Sequence, residues 1–280
     1  MNEWLVSSGR ARIMGIVNVT PDSFSDGNQF LSHEQAIAHG RALSEAGADI
    51  VDVGGESTRP GSIVISVEEE IRRAIPVVRA LAKDGIPVSI DTSKPAVMEA
   101  AVNEGACLIN DVYALRREGA MDMAARLAVP VCLMHMQGTP DTMQIEPTYR
   151  DVVQEIHDFL SARVTKCVQK GIGPDQIIVD PGFGFGKTKA HNLTLMKSLD
   201  KFLDLSASLM VGVSRKAFIR TISGFEKGVE LDQASAVVAG IAVKHGAGVL
   251  RVHDVASTVS MLRLFDSLDL VNFSERLTVD

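Results

Sequence analysis

Polar or charged side chains lie at the carboxyl ends of eight short apolar segments of the sequence or directly after them. They are Asn18, Asp52, Asp91, Asn110, Asp111, His135, Asp180, Ser214, Arg215, Lys216, Arg251 and His253. A single residue of this kind can be a turn former or a helix cap, and Asp111, Asp254 and Ser93 fit that simpler interpretation. Carboxylates and amides gathered in one place can hydrogen-bond a heterocycle, and neighbouring cations can bind an anion. The set therefore predicts a polar pocket for a flat ring and an anionic group.

The apolar segments are the elements that must position these side chains. They are continuous rather than alternating and rich in Val, Ile and Leu, which is typical of parallel strands buried on both faces. They cover residues 13–19, 50–53, 88–90, 108–112, 131–134, 177–179, 209–213 and 249–252. Helical patterns separate them, and eight such units in about 250 residues predict a TIM barrel, whose chemistry lies at the carboxyl ends of the strands. We expect one α/β (β/α)8 barrel domain over residues 1–280. A doubly wound sheet would use fewer strands and a glycine-rich first turn.

Capping patterns predict where two of the helices begin and end. A capping box at Ser32 is expected to begin the first helix, and Gly47 to close it. A second box at Ser66 and Glu69 is expected to begin the next helix. Pro76 lies inside that helical pattern and is expected to kink it.

The bulk composition excludes several classes of protein. The 280 residues carry a net charge of −7, so a duplex nucleic acid is not an expected partner. The three cysteines form no C-x-x-C pair, which indicates reduced thiols in a cytosolic protein. There is no signal-peptide pattern at the N-terminus and no apolar run of about 18 residues, so we expect a cytoplasmic protein that does not span a membrane.

Three polar, turn-rich segments, at residues 20–27, 54–61 and 180–188, are expected to cover the mouth of the barrel as loops. The third ends in Gly186-Lys187-Thr188, which looks like the end of a P-loop. Pro181 occupies the place of the first P-loop glycine, so we reject that interpretation. The glycines are instead expected to let the backbone pass close to a flat ligand.

Two other barrel chemistries fit poorly. A zinc hydrolase would carry a His-x-His pair on the first strand, where this sequence has Asn18. An aldolase needs a desolvated lysine for a Schiff base, and Lys216 is the candidate. The neighbouring Arg215 and the expected anion site favour Lys216 as a hydrogen-bond donor instead.

The longest polar blocks, residues 14–27 and 52–61, resemble the two signatures of the dihydropteroate synthases. Shorter matching blocks follow in the same order, and the resemblance covers roughly residues 12–258. It implies an enzyme that condenses 6-hydroxymethyl-7,8-dihydropterin pyrophosphate with p-aminobenzoate and releases pyrophosphate. It also implies a homodimer formed through helices away from the barrel mouth.

The resemblance implies a pterin pocket at the strand ends. Asp180 would accept two hydrogen bonds from the pterin edge, and Asp91 and Asn110 would line the rest of the ring. Lys216 would donate to its carbonyl side. Met134 would pack beneath the ring, with core filling as the equal alternative.

The resemblance also implies how the diphosphate leaves. Arg251 and His253 would bind it, and Arg251 could also stack on the pterin face. Asn18 would be the protein ligand of Mg²⁺, which takes most of its oxygens from substrate phosphates. Asp26 would stabilise the cation left on the pterin, so the implied catalytic residues are Asp26, Lys216, Arg251 and His253.

The p-aminobenzoate site is implied by the resemblance alone. Five side chains would surround the aromatic ring: Phe24, Thr58, Arg59, Pro60 and Phe185. Ser214 and the following helix N-terminus would receive the carboxylate. Relatives that resist sulfonamides differ around Phe24 and Thr58, and both residues are kept here, so we expect sensitivity to sulfonamides.

Two alternatives remain. A barrel that transfers a methyl group from methyltetrahydrofolate to a corrinoid partner would also need Asp91, Asn110 and Asp180, but would have no use for the anion clamp. A catalytically silent pterin-binding subunit would need neither the clamp nor the loops.

Overall fold

The chain forms a closed barrel of eight parallel strands. The computed structural model describes residues 10–19, 29–59 and 61–270, and all statements about the fold refer to these. The strands are β1 Arg12–Asn18, β2 Ile50–Gly54, β3 Val88–Asp91, β4 Leu108–Asp111, β5 Val131–Met134, β6 Ile177–Asp180, β7 Ser208–Val211 and β8 Val249–Val252. Each pairs with the next and β8 pairs with β1, which confirms the predicted TIM barrel and its eight strands.

Helices follow the strands around the outside of the barrel. They are α1 Gln29–Glu45, α2 Val67–Lys83, α3 Pro95–Asn103, α4 Ala120–Leu127, α5 Val152–Gln169, α6 Lys189–Lys197, α7 Ala217–Ser223, α8 Val229–Lys244 and α9 Val255–Ser267. Both α7 and α8 follow β7, whereas one α-helix follows each of the other strands. In the described part of the chain, no helix is long and apolar enough to cross a membrane.

The helix-capping predictions are confirmed in part. Ser66 caps α2 by accepting a hydrogen bond of 3.2 Å from the backbone N–H of Glu69, and α2 continues through Pro76 without ending. Gly47, with φ of +105°, follows the end of α1 as predicted. The predicted start at Ser32 is wrong, because the residues before it already continue the helix back to Gln29.

The interior of the barrel is built in layers that place the site. An apolar layer closes the lower part, and it consists of Met14, Ile50, Leu108, Cys132, Ile178, Met210 and Val249. Side chains alternate along a strand, so the residue two positions further also points inward. On five of these strands that residue is Asp52, Asn110, Met134, Asp180 or Arg251. The strand period therefore sets a largely polar layer on an apolar floor.

Candidate active site

A cavity of about 1030 Å³ opens at the carboxyl ends of the strands. Its inner recess is lined by eight of the predicted site residues: Thr58, Asp91, Asn110, Met134, Asp180, Phe185, Lys216 and Arg251. The outer part adds Asn18, Arg59, Ser214 and His253. The structure thus brings together every described residue to which the resemblance gives a substrate, catalytic or metal role. Phe24, Asp26 and Pro60 lie outside the described residues.

Arg251 is held between two carboxylates at the floor of the recess. Its Nε donates to Asp52 Oδ2 and its Nη2 to Asp91 Oδ2, both at 2.7 Å. Asn110 donates to the same Asp52 oxygen at 3.0 Å. Burial raises the pKa of Asp91, and the charge of Arg251 opposes that rise. These charge-assisted bonds fix the plane of the guanidinium before any ligand arrives.

Asp180 offers an oxygen to the recess. It is 4% exposed, and its Oδ1 accepts a hydrogen bond of 2.7 Å from the backbone N–H of Gly182. Its Oδ2 has no protein partner among the described residues. A Cβ at Gly212 would lie 4.0 Å from this oxygen and 3.8 Å from the Arg251 side chain. Because Gly212 has no side chain, the space beside the Asp180 carboxylate stays open to a ligand.

Lys216 lies above the recess beside an aromatic ring. Burial, followed by the charge of Arg251, lowers the pKa of Lys216 to about 8. Its Nζ is 4.0 Å from the centroid of the Phe185 ring, a cation–π contact. Arg215, the neighbour of Lys216 in the sequence and a candidate for the anion site, forms a 2.6 Å ion pair with Asp232 instead. Lys216 and Arg251 are therefore the cations of the inner recess.

Ser214 and His253 form a polar pair in the outer part of the cavity. Ser214 Oγ and His253 Nδ1 are 3.0 Å apart, and the backbone N–H of His253 donates to the same hydroxyl. Burial, followed by the charges of Arg215 and Arg251, lowers the pKa of His253 to about 3. The imidazole is therefore neutral at neutral pH and can donate a hydrogen bond without carrying charge. Asn18, at the end of β1, lines the same space.

Lys187 is a buried cation that the sequence analysis did not connect with the site. Its Nζ contacts the Phe185 carbonyl oxygen at 2.9 Å and His135 Nδ1 at 3.0 Å. Burial lowers the pKa of Lys187 to about 7 and that of His135 to about 2. Lys187 thus fixes the loop that carries Phe185. The only sequence signal for it was the near match to a P-loop.

His135 does not face the cavity, contrary to its expected place among the strand-end residues. Its ring packs edge-on against Phe159 at 5.0 Å between centroids. Met134, the last residue of β5, occupies the inward position, and alternation turns the next side chain outward. Asp111 also lies outside the cavity and stabilises the turn after β4, because it accepts hydrogen bonds from the backbone N–H groups of Tyr113 and Leu115.

The glycines after β6 are explained by packing within the protein. Gly182 and Gly186 have φ of +73° and +64°. A Cβ at Gly182 would clash with the carbonyl oxygen of His135, and a Cβ at Gly186 would lie 2.7 Å from the carbonyl oxygen of Gln137. The expectation that these glycines make room for a flat ligand is therefore wrong for both. They let this loop pack against the loop after β5.

The barrel and the polar recess agree with the result of a family comparison. Residues 14–253 match the family described as pterin binding enzyme. The fold and the site thus define the class, a pterin-binding enzyme built on a TIM barrel.

Individual relatives narrow this class. Dihydropteroate synthase of Escherichia coli (strain K12) is 45% identical over 256 residues, which cover 91% of this chain and 90% of the relative. A structure of Xanthomonas albilineans dihydropteroate synthase with 4-aminobenzoic acid is 48% identical, covers 94% of both chains and has a TM-score of 0.88. Another, in complex with 7,8-dihydropteroate, is 45% identical, covers 94% of this chain and 95% of that one and has a TM-score of 0.85. The chain belongs to the dihydropteroate synthases.

Proposed function

We propose that this chain condenses 6-hydroxymethyl-7,8-dihydropterin pyrophosphate with p-aminobenzoate to give 7,8-dihydropteroate and pyrophosphate. The observation that carries the proposal is the recess in which Asp180 presents a carboxylate oxygen with no partner among the described residues, while Arg251 and Lys216 supply positive charge. A pterin edge presents donors and a carbonyl, which this arrangement complements.

The inner recess orients the pterin. Asp180 accepts hydrogen bonds from the amino group and a ring N–H, and Lys216 donates to the carbonyl side. Asp91 and Asn110 line the remaining edge, and Met134 packs beneath the ring. Hydrogen bonds to charged groups contribute roughly 1.5–3 kcal/mol each, so the set fixes orientation as well as affinity.

The outer part of the cavity binds the diphosphate. Arg251 keeps Nη1 free of protein partners among the described residues, and His253 is a neutral donor nearby. Asn18 fits a Mg²⁺ ion, since it lines this space and its side-chain oxygen accepts no hydrogen bond from any described residue. A single protein oxygen suffices when substrate phosphates supply most of the ligands. The bound metal would neutralise charge on the leaving group.

The reaction breaks the bond between the pterin methylene carbon and the diphosphate oxygen, and forms a bond from that carbon to the arylamine nitrogen. The leaving diphosphate takes the electron pair, and the nitrogen releases a proton to solvent. Arg251 and His253 stabilise charge on the departing group. Asp26 stabilises the positive charge on the methylene.

The aminobenzoate ring would lie between Phe185, Thr58 and Arg59, together with Phe24 and Pro60. Ser214, at the outer side of the cavity, would receive its carboxylate. The contact between Phe185 and Lys216 supports this placement, because it sets an aromatic surface directly beside the pterin recess.

A homodimer and a cytoplasmic location complete the proposal. Two i, i+4 pairs of apolar side chains are exposed, one on α8 and one at the end of the neighbouring α9, where Leu268 directly follows the last helical residue. They are Val237 at 61%, Ile241 at 42%, Leu264 at 62% and Leu268 at 64%. A surface of this kind on packed helices is typical of a subunit interface. Sedimentation of the wild type against Ile241→Glu would test it, and a wild-type monomer would refute it.

One assay distinguishes the proposed reaction from the alternatives. The protein is incubated with the pterin pyrophosphate, p-aminobenzoate and Mg²⁺, and pyrophosphate and dihydropteroate are measured. A methyltransferase would instead consume methyltetrahydrofolate with a corrinoid acceptor, and a silent subunit would bind pterin without turnover. Absence of both products from folded protein would refute the proposal.

A further inference from the structure

A buried ion cluster lies outside the inner recess, and one of its members, Glu56, also lines the outer part of the cavity. It consists of Lys94, Glu56 and Glu70, here called the Lys94 cluster. Lys94 Nζ lies 2.6 Å from Glu56 Oε2 and 2.6 Å from Glu70 Oε2. The Lys94 and Glu70 side chains are 7% and 1% exposed. Three separate elements meet here: the loop after β2, the first turn of α2 and the turn after β3.

The cluster closes the base of the loop after β2. Lys94 Nζ donates to the Ile65 carbonyl oxygen at 2.8 Å, and the Ile65 N–H donates to Glu56 Oε2 at 3.0 Å. Residues 56 and 65 are therefore joined through one ammonium and one carboxylate. We call the described residues of this loop, 56–59 and 61–65, the clasped loop, and it carries Thr58 and Arg59.

The turn after β3, which carries Lys94, also adjoins the pterin recess. Asp91 ends β3 inside the recess, and Lys94 follows three residues later, its N–H bonded to Thr92 Oγ1 at 3.2 Å. The turn thus links the recess directly to the clasped loop. Replacing a buried ion cluster by apolar groups is often neutral for stability, so the best-supported use of such a cluster is to specify one conformation.

We propose that Lys94 is a positioning residue for the arylamine substrate. By holding residues 56 and 65 together it places Thr58 and Arg59 at the outer side of the pterin recess. The role rests on the proposed function, since it concerns the p-aminobenzoate half of the same site. Lys94 itself touches neither substrate.

The test uses Glu56→Gln and Lys94→Met, with Lys83→Met as the matched control. Glu56→Gln keeps the shape of the side chain and leaves the Lys94–Glu70 pair in place. Lys83 lies in the last turn of α2 and is exposed. Both cluster variants are expected to raise KM for p-aminobenzoate about tenfold or more, because small displacements of positioning groups have large effects. The Kd of the pterin without its diphosphate should stay within about twofold, since none of the three cluster residues lines the inner recess.

A second measurement does not depend on catalysis. Thermolysin cleaves before bulky apolar residues, and Ile63 and Val64 in the clasped loop are 85% and 66% exposed. The cluster variants should be cut there about tenfold faster than the wild type and Lys83→Met, because releasing the base lets the loop enter the protease. The cleavage rates test the role of the cluster even if the wild type makes no dihydropteroate.

Two outcomes would overturn the proposal. One is equal loss of pterin and aminobenzoate affinity, which would indicate a general structural role. The other is unchanged cleavage at residues 62–64. If Lys94→Met does not fold, the double variant Lys94→Met with Glu70→Gln replaces it, because it removes one of the carboxylates left unpaired. Glu56→Gln alone also tests whether the cluster positions the clasped loop.

Discussion

Arg251 and Asp52 are joined by a 2.7 Å hydrogen bond across β1, since β8 and β2 are the two neighbours of that strand. The Asp52 side chain is fully buried, whereas that of Arg251 is 22% exposed. The sequence places both at strand ends, but only the folded barrel shows that the buried Asp52 carboxylate holds the Arg251 guanidinium in place.

Asp52→Asn should destabilise the protein and weaken pterin binding, because it removes a buried partner of Arg251. Breaking a buried ion pair costs about 3–5 kcal/mol, and the remaining Asp91 contact reduces this to about 3 kcal/mol. Urea denaturation measures the loss. Asp84→Asn, which removes the exposed partner of Arg41, should cost under about 1 kcal/mol. Equal effects of the two changes would contradict this interpretation of Asp52.

Asp180→Asn should weaken binding of the pterin pyrophosphate about a hundredfold, since the new amide presents donors to ligand donors and about 3 kcal/mol is lost. Calorimetric titration measures the Kd, and circular dichroism checks the fold. Asp175→Asn, at an exposed position, is the control. Wild-type affinity in Asp180→Asn would rule out the proposed orientation of the ring.

Pterin affinity should fall as the pH rises through about 8, the lowered pKa of Lys216. The protonated ammonium donates to the ligand carbonyl, and deprotonation above this pKa removes the charge, so affinity is highest below it. Lys187, with a pKa of about 7, titrates nearby. Lys187→Met should keep the fall near pH 8, and Lys216→Met should abolish it. A fall that persists in Lys216→Met would assign it to another group.

Asn18→Ala should raise the Mg²⁺ concentration needed for half-maximal activity, because it removes the only protein oxygen assigned to the metal. A rise of about tenfold corresponds to about 1.4 kcal/mol. Binding of the pterin without its diphosphate should not change. Unaltered Mg²⁺ dependence would remove Asn18 from the metal site.

Sulfonamides should inhibit the enzyme competitively with p-aminobenzoate. Thr58 lies at the recess and Phe24 is retained, so the features that distinguish resistant relatives are missing here. Initial rates at several concentrations of both compounds give the pattern. Full activity with sulfonamide far above the substrate concentration would contradict it.

The barrel was predictable from sequence because continuous apolar runs have one simple explanation, a strand buried on both faces. Most strand-end residues of the site followed from the same rule. The rule failed at His135, since Met134 ends β5 in the inward position and a shift of one residue reverses the face.

Contacts between distant elements were not predictable. Lys94 lies in an ordinary turn sequence, and its partners Glu56 and Glu70 come from two other elements. No periodic pattern connects them. Lys187 was missed for the same reason. Its role depends on its burial against the loop after β5, which is distant from it in the sequence.

The ring of strands closes only where β1 meets β8, and these two carry Asn18 and Arg251 at the same rim. A growing chain therefore makes Asn18 first and Arg251 last. Until residues 249–252 are synthesised, β1 has one unpaired edge and the cavity has no floor on that side. A chain cut short before β8 would lose Arg251 and His253, the proposed diphosphate ligands, and would also expose the open edge of β1, a template for aggregation.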